Sequence, residues 1–436
     1  MPDPMLVLTG TILVLTFTGI FTEKVHGIER AKFAMAGAGA MIIAGQVFGF
    51  YSPQAAIEAI DWNVIFLLAI MMIIVSIMTT TGGFEHIAHG IAARAGGSQF
   101  RLIFLLGAAV SVFSMLLDNV TTVIIFGPLI VLICQMTAIN PIPFLIAAAM
   151  LSNTGGVATL VGDPPNMMIG SAADIGFLPF LLHMIVPVVL SWVAILLTIR
   201  YLFRRSLLPP ITIPVVWQEH FTHRNLWNKS MGVLALMLIL FLFHDLLAWP
   251  PWIVAATGLT LLLFLAERVS LEEVTAHIET PLLIFFIALF IVIGGVERSG
   301  LLHHAGTLMK PLILHQPLIA ALVLLWVAAL LSALIDNIPF TAAMIPVLTS
   351  LKHQGIDVDV LWWSLALGVG MGGNGSHIGS TANIYIVTVS EQLARKTGNP
   401  DLQITPGLWL RMGTPAMLLS LLACSLFILV AYPWIS

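Results

Sequence analysis

"GGVATLVGDPPNMMIGSA", Gly155 to Ala172, sets four glycines, an aspartate, two prolines and an asparagine inside a hydrophobic run. Glycine and proline each disfavour a helix interior, by about 1 and 3 kcal/mol relative to alanine. The surrounding chain is 59% hydrophobic and 9% charged, with a mean hydropathy of +1.03. Soluble domains carry about 25% charged residues. Apolar runs of about 20 residues recur along the length, each long enough to cross a bilayer. The quoted stretch is therefore a break inside a span of a polytopic helical membrane protein. The runs do not alternate with period two, which argues against a β-barrel.

Full spans are expected at Met5–Phe21, Ala31–Phe50, Trp62–Thr80, Leu181–Tyr201, Met231–Ala248, Trp252–Ala266, Leu282–Val296 and Leu408–Tyr432. No basic region precedes the first run, so it reads as a retained span rather than a cleaved signal. Leu102–Met136 and Leu318–Leu351 are each long enough for two helices and are split by Asp-Asn. Phe144–Ile175 and Leu361–Gln392 are split by glycine-rich polar stretches. Cys134 and Cys424 lie far apart in apolar runs, which offers neither a disulfide framework nor a thiolate metal site. The net charge of -4 gives no reason to expect nucleic acid as a partner.

The irregular segments pair. "LLDNVTTVIIFGPLIVLI" (Leu116–Ile133) is similar to "LIDNIPFTAAMIPVLTSL" (Leu334–Leu351), and "GGFE" (Gly82–Glu85) to "GGVE" (Gly294–Glu297). "TLVGDPPN" (Thr159–Asn166) is similar to "SHIGSTAN" (Ser376–Asn383). Offsets of 218, 212 and 217 residues, in the same order, mark an internal repeat. The expected organisation is a first membrane repeat over 1–201, a cytoplasmic linker over 202–229 and a second repeat over 230–436. If each Asp-Asn segment is a re-entrant hairpin and each glycine-split segment a crossing, the second repeat is inverted. Fourteen basic residues, from Lys24 and Arg30 to Arg411, then share one face, against Arg298, Lys310 and Lys352 on the other. That bias makes the first face cytoplasmic.

Irregular backbone inside a membrane is tolerated only against protein or a water-filled cavity. Inverted repeats with helices broken at matched positions point to a transporter's central site. The expected proton-coupling residues are Asp118, Asp163 and Asp336, because an intramembrane carboxylate usually marks an ion or proton path. Each also fits the plainer reading of a helix N-cap. Asp163 is matched by Ser380, so the two halves differ there. The expected substrate-binding residues are Asn119, Thr121, Asn153, Thr159, Asn166, Asn337, Asn374, Ser376 and Asn383, all polar groups at the tips or breaks. His377 has no counterpart in the first repeat. Glu85 and Glu297 read as interfacial, and His303–His304 as an outer-loop pair. No metal site and no cofactor is expected. No basic residue lies in the central motifs, which weighs against an anion carrier.

"LLDNVTTVIIFGP", "SNTGGVATLVGDPPNMMI", "SALIDNIPFTAAMIPVL" and "GGNGSHIGSTAN" resemble the signature segments of the ArsB/NhaD group of the ion transporter superfamily, and within it the P protein branch. The resemblance runs from about residue 30 to the C-terminus. It implies a secondary transporter, not an enzyme, in the inner (plasma) membrane, with a substrate site between two hairpin tips and two broken helices. It also implies a homodimer working by an elevator motion against membrane lipid. For arsenite permeases it implies a possible soluble ATPase partner. The leading expectation is proton-coupled efflux of arsenite or antimonite, driven by the proton-motive force, with sodium possible as the coupling ion. The alternatives are a sodium/proton antiporter and an organic or inorganic anion carrier. An intramembrane aspartyl protease using Asp118 and Asp336 is disfavoured, because the repeat places both in re-entrant tips.

Overall fold

The computed structural model describes residues 4–211, 221–266, 270, 272, 275, 278–301 and 310–435. Arg268, one of the fourteen basic residues, and His303–His304 lie outside the described residues, as does part of the linker expected over 202–229. Every regular element among the described residues is helical. Ten of the helices are long and apolar enough to cross a membrane.

The first half runs α1 (Pro4–Phe21), α2 (Glu23–His26), α3 (Arg30–Phe48), α4 (Pro53–Glu58), α5 (Trp62–Thr79) and α6 (Gly83–Arg94). Hairpin arms α7 (Gln99–Leu116) and α8 (Asn119–Met136) follow, then α9 (Ile142–Gly156), α10 (Pro164–Ala173) and α11 (Phe177–Leu202). The second half runs α12 (Arg224–Phe243), α13 (Pro251–Leu265), α14 (Thr280–Arg298), the hairpin arms α15 (Pro317–Leu334) and α16 (Asn337–His353), α17 (Asp359–Gly372), α18 (Thr381–Thr397) and α19 (Pro406–Ile435).

Most expected spans match these helices within a few residues. The span expected at Met231–Ala248 begins earlier, at Arg224, so the end of the expected linker is helical. "GGFE" and "GGVE" take different roles. The first opens α6, whereas the second closes α14. Helix α6 was not expected. It is anchored by Phe84, which packs edge-on against Phe113, Phe126 and Trp227.

Two groups of helices are visible in the packing. Centrally, α7 lies against α9 and α15 against α17. The second arms cross over, α8 packing on α18 and α10 on α16, while α11 pairs with α19. Around them, α3 packs between α1 and α14, and α13 packs on α5 and α12. The Asp118–Asn119 and Asp336–Asn337 tips line one cavity. Tips that meet at one cavity are the arrangement expected of paired re-entrant hairpins. The glycines at the breaks permit this closeness. A Cβ on Gly155 would collide with the backbone of Ser111, and one on Gly372 with the backbone of Ala329.

Candidate functional site

Four helices begin at the central cavity: α8, α10, α16 and α18. Their N-cap residues, Asp118, Asp163, Asp336 and Ser380, all line it. Each N-terminus carries roughly half a positive elementary charge, so the cavity favours negative charge before any side chain is considered. The side chains supply Asp118, Asp163, Asp336 and Glu279 at the wall.

The caps are not equivalent. Asp118 accepts from Thr121 N at 2.8 Å and Thr121 Oγ1 at 2.6 Å. It adopts φ 126° and ψ 159°, a region that costs of order 1–3 kcal/mol for a residue other than glycine. Asp336 accepts from Ile338 N at 3.4 Å, and Ser380 from Ala382 N at 3.3 Å. Asp163 caps nothing. Pro164 and Pro165 occupy the first two helical positions and have no N–H to give. Its Oδ2 is buried with no hydrogen-bond partner, as is Asn119 Oδ1.

The breaks are braced by the asparagines. Asn166 Nδ2 donates to the carbonyls of Gly156 at 3.1 Å and Thr159 at 2.9 Å. Asn383 Nδ2 donates to Gly373 at 2.7 Å and Ser376 at 2.8 Å. These carbonyls are what a broken helix leaves free, and leaving them unpaired in an apolar interior costs several kcal/mol each. Thr159 Oγ1 adds a bond to Met115 O and accepts from Gly162 N at 3.0 Å, and Ser376 Oγ donates to Ala333 O.

Asn153 ties the halves together. Its Nδ2 donates to Asn374 Oδ1 at 3.0 Å and Asn383 Oδ1 at 2.9 Å. Its Oδ1 accepts from Ser380 Oγ at 2.9 Å and from Asn119 Nδ2 at 3.3 Å. Asn374 Nδ2 reaches Thr154 Oγ1 at 3.1 Å. Of the expected substrate-binding residues, Asn119, Thr121 and Asn337 line the cavity. Asn153, Thr159, Asn166, Asn374, Ser376 and Asn383 instead build the wall behind it, through the bonds above. All three expected coupling carboxylates face the cavity.

The central motifs hold no basic residue, but one from outside them reaches a hairpin tip. Arg30, at the start of α3, pairs with Asp336 and donates to Thr381 Oγ1 at 3.3 Å. Its guanidinium lies 5.0 Å from the Phe285 ring centroid. Arg30 and Asp336 are 306 residues apart, so no local motif connects them, and by itself Arg30 reads as one more cytoplasmic charge. Glu279 escaped the reading for the same reason. Ser380 was noted only as the counterpart of Asp163, and Thr381 follows it directly.

The cavity holds about 20 Å³, near the minimum for a single water molecule. A larger cavity of about 310 Å³ lies between α5, α10 and the α12–α13 turn, lined by Asp174, His244, Asp245 and Trp249. None of the motif carboxylates borders it, so volume alone does not locate the site.

Comparison with known proteins gives a consistent family. The citrate transporter family model matches residues 12–368. A 46 kDa membrane protein of Mycobacterium leprae is 34% identical over 407 residues, covering 91% of this chain and 92% of its own. An uncharacterized transporter of Mycobacterium tuberculosis is 35% identical over 406 residues, with the same coverage. The human P protein is 29% identical over 519 aligned residues, covering 99% of this chain and 60% of that protein. The likeness to the P protein expected from the motifs is thus borne out. Among solved structures, the YdaH transporter of Alcanivorax borkumensis superposes with a TM-score of 0.62 at 15% identity, covering 87% of this chain and 88% of that one. At that identity the likeness concerns the fold alone.

Proposed function

The chain belongs to the citrate transporter family and is a multi-pass plasma-membrane transporter, not an enzyme; from that premise we propose that it is a secondary active carrier of small carboxylate anions coupled to protons. The observation that carries this reading is the meeting of four helix N-termini around Asp163, a buried carboxylate with an unpartnered oxygen. Helix N-termini attract anions through their dipoles and uncapped N–H groups; at α10 the first two positions are prolines, so the dipole contributes there without those amides. An ionised Asp163 would repel an arriving carboxylate in a medium of low dielectric. Protonation removes that repulsion, so proton and anion favour each other's binding. Two ligands that do so in a carrier move together, as in symport.

Efflux of arsenite or antimonite is the second reading. It is favoured by Asn119 Oδ1, a buried acceptor without a donor, because neutral arsenous acid presents hydroxyl donors. The amides of Asn166 and Asn383, which that reading had reserved for substrate, are engaged with backbone carbonyls.

Purified protein in liposomes separates the two. The panel is citrate, a dicarboxylate, arsenite, antimonite and sodium, each with and without a pH gradient. A carboxylate should accumulate only when the gradient is imposed. Gradient-driven movement of arsenite or sodium, with no carboxylate taken up, would reject the first reading.

A further inference from the structure

We propose that Arg30 is the charge partner of the transported carboxylate, and that Asp336 occupies it as an internal stand-in while the site is empty. This deepens the carboxylate reading and rests on it.

The argument begins with space. About 20 Å³ admits one water and no polycarboxylate. In this conformation the space between the tips is too small for such an anion, and the tips must part before one enters. The Asp336 tip is held to α3 by the Arg30–Asp336 pair, assisted by Thr381 Oγ1, which donates to Asp336 Oδ2 at 2.9 Å, so this tie must yield if that tip is to move.

The two tip aspartates differ in how they are held. Asp118 takes two short bonds from Thr121, within its own helix. Asp336 has a long cap bond of 3.4 Å and is held chiefly by Arg30 and Thr381, from other helices. A carboxylate retained mainly from outside is one that another carboxylate can replace. A guanidinium suits the exchange, because its planar fork binds any carboxylate through paired N–H groups.

The geometry also explains why an internal anion is required. The Arg30 side chain is 18% exposed and that of Asp336 13%. A guanidinium this buried and left unpaired is costly. Stacking on Phe285 keeps it in place but supplies no hydrogen-bond acceptor. Asp336 thus keeps the empty site neutral at this point. A substrate carboxylate takes over the guanidinium and releases the hairpin tip. Because α3 belongs to the outer helices and Asp336 to the central ones, the exchange also loosens the tie between the two groups.

The test is citrate uptake into liposomes by four proteins: wild type, Arg30→Gln, Arg30→Lys and Asp336→Asn. Arg30→Gln should raise KM by about tenfold or more, and Arg30→Lys by less. Asp336→Asn should lower KM several-fold, even where kcat falls, since the internal competitor is gone. That opposition of signs is what a merely structural ion pair would not produce, because breaking it from either side would harm binding alike. A rise of KM in both Arg30→Gln and Asp336→Asn, or a change in neither, overturns the proposal while leaving carboxylate transport standing. If wild type carries no carboxylate, the functional reading fails and this one with it. If Arg30→Gln does not fold, Arg30→Lys and Asp336→Asn carry the same comparison of signs.

Discussion

Asn166 bonds to the carbonyls of Gly156 and Thr159, and 217 residues later Asn383 bonds to those of Gly373 and Ser376. The bracing is the same in both breaks, residue for residue. Three positions before each asparagine the likeness stops. Asp163 precedes two prolines and caps nothing, whereas Ser380 caps Ala382 and donates to Asn153. The duplicated part solves a problem that every broken membrane helix has, unpaired backbone in an apolar medium. The part that differs is free to carry chemistry.

That division can be tested at its strongest point first. Gly155→Val and Gly372→Val each force a side chain into a hairpin arm, so each should cost about 3 kcal/mol or more. Neither should yield monodisperse protein on size exclusion. Survival of one alone would show that the two breaks are not packed alike.

Asp163→Asn should lower proton-driven accumulation by ~100-fold, equivalent to about 2.7 kcal/mol. Substrate counterflow without a gradient should persist, and Ser380→Ala should keep accumulation within a few-fold of wild type. Equal losses at the two positions would erase the functional asymmetry. Asn166→Ala and Asn383→Ala each strip two buried carbonyls of a donor. Each should destabilise by about 2–4 kcal/mol, read as similar falls in Tm in detergent. Unequal falls would mean that the braces do different work.

The smallest effect sharpens the comparison most. Pro165→Ala returns an N–H at the second helical position, where an N-cap carboxylate finds its donor. Asp163 would then be tied as Ser380 is tied. Proton-driven uptake should fall by about tenfold, the equivalent of one hydrogen bond to a charged group, with Tm unchanged or slightly raised. Unaltered uptake would show that freedom from capping is not what sets Asp163 apart.

Much of this was legible without coordinates. Asp-Asn at matched positions marked the hairpin tips, and glycines with prolines marked the breaks, because helix breakers act locally. The Asp163–Ser380 difference was visible in the aligned repeats. Of the nine expected substrate residues, three line the cavity and six bond to the protein in the wall behind it. A polar residue at a break has two possible partners, ligand or freed carbonyl. Only the path of the backbone across the gap, bringing Gly156 within reach of a residue ten positions later, decides between them. Arg30 and Glu279 carried no local signal, since charges at helix starts near a membrane face are ordinary.

The sequence by itself determined the class, the two-fold repeat, the re-entrant tips, the breaks and the carboxylates at them. Those follow from hydropathy and from what glycine, proline and aspartate do to the nearest turn of helix. Only the tertiary structure decided which polar groups face the cavity, that four helix N-termini share it, and that Arg30 pairs with Asp336 at its wall. Those properties depend on contacts between segments hundreds of residues apart, where a side chain's partner is chosen by packing and by the need to pair every buried polar atom.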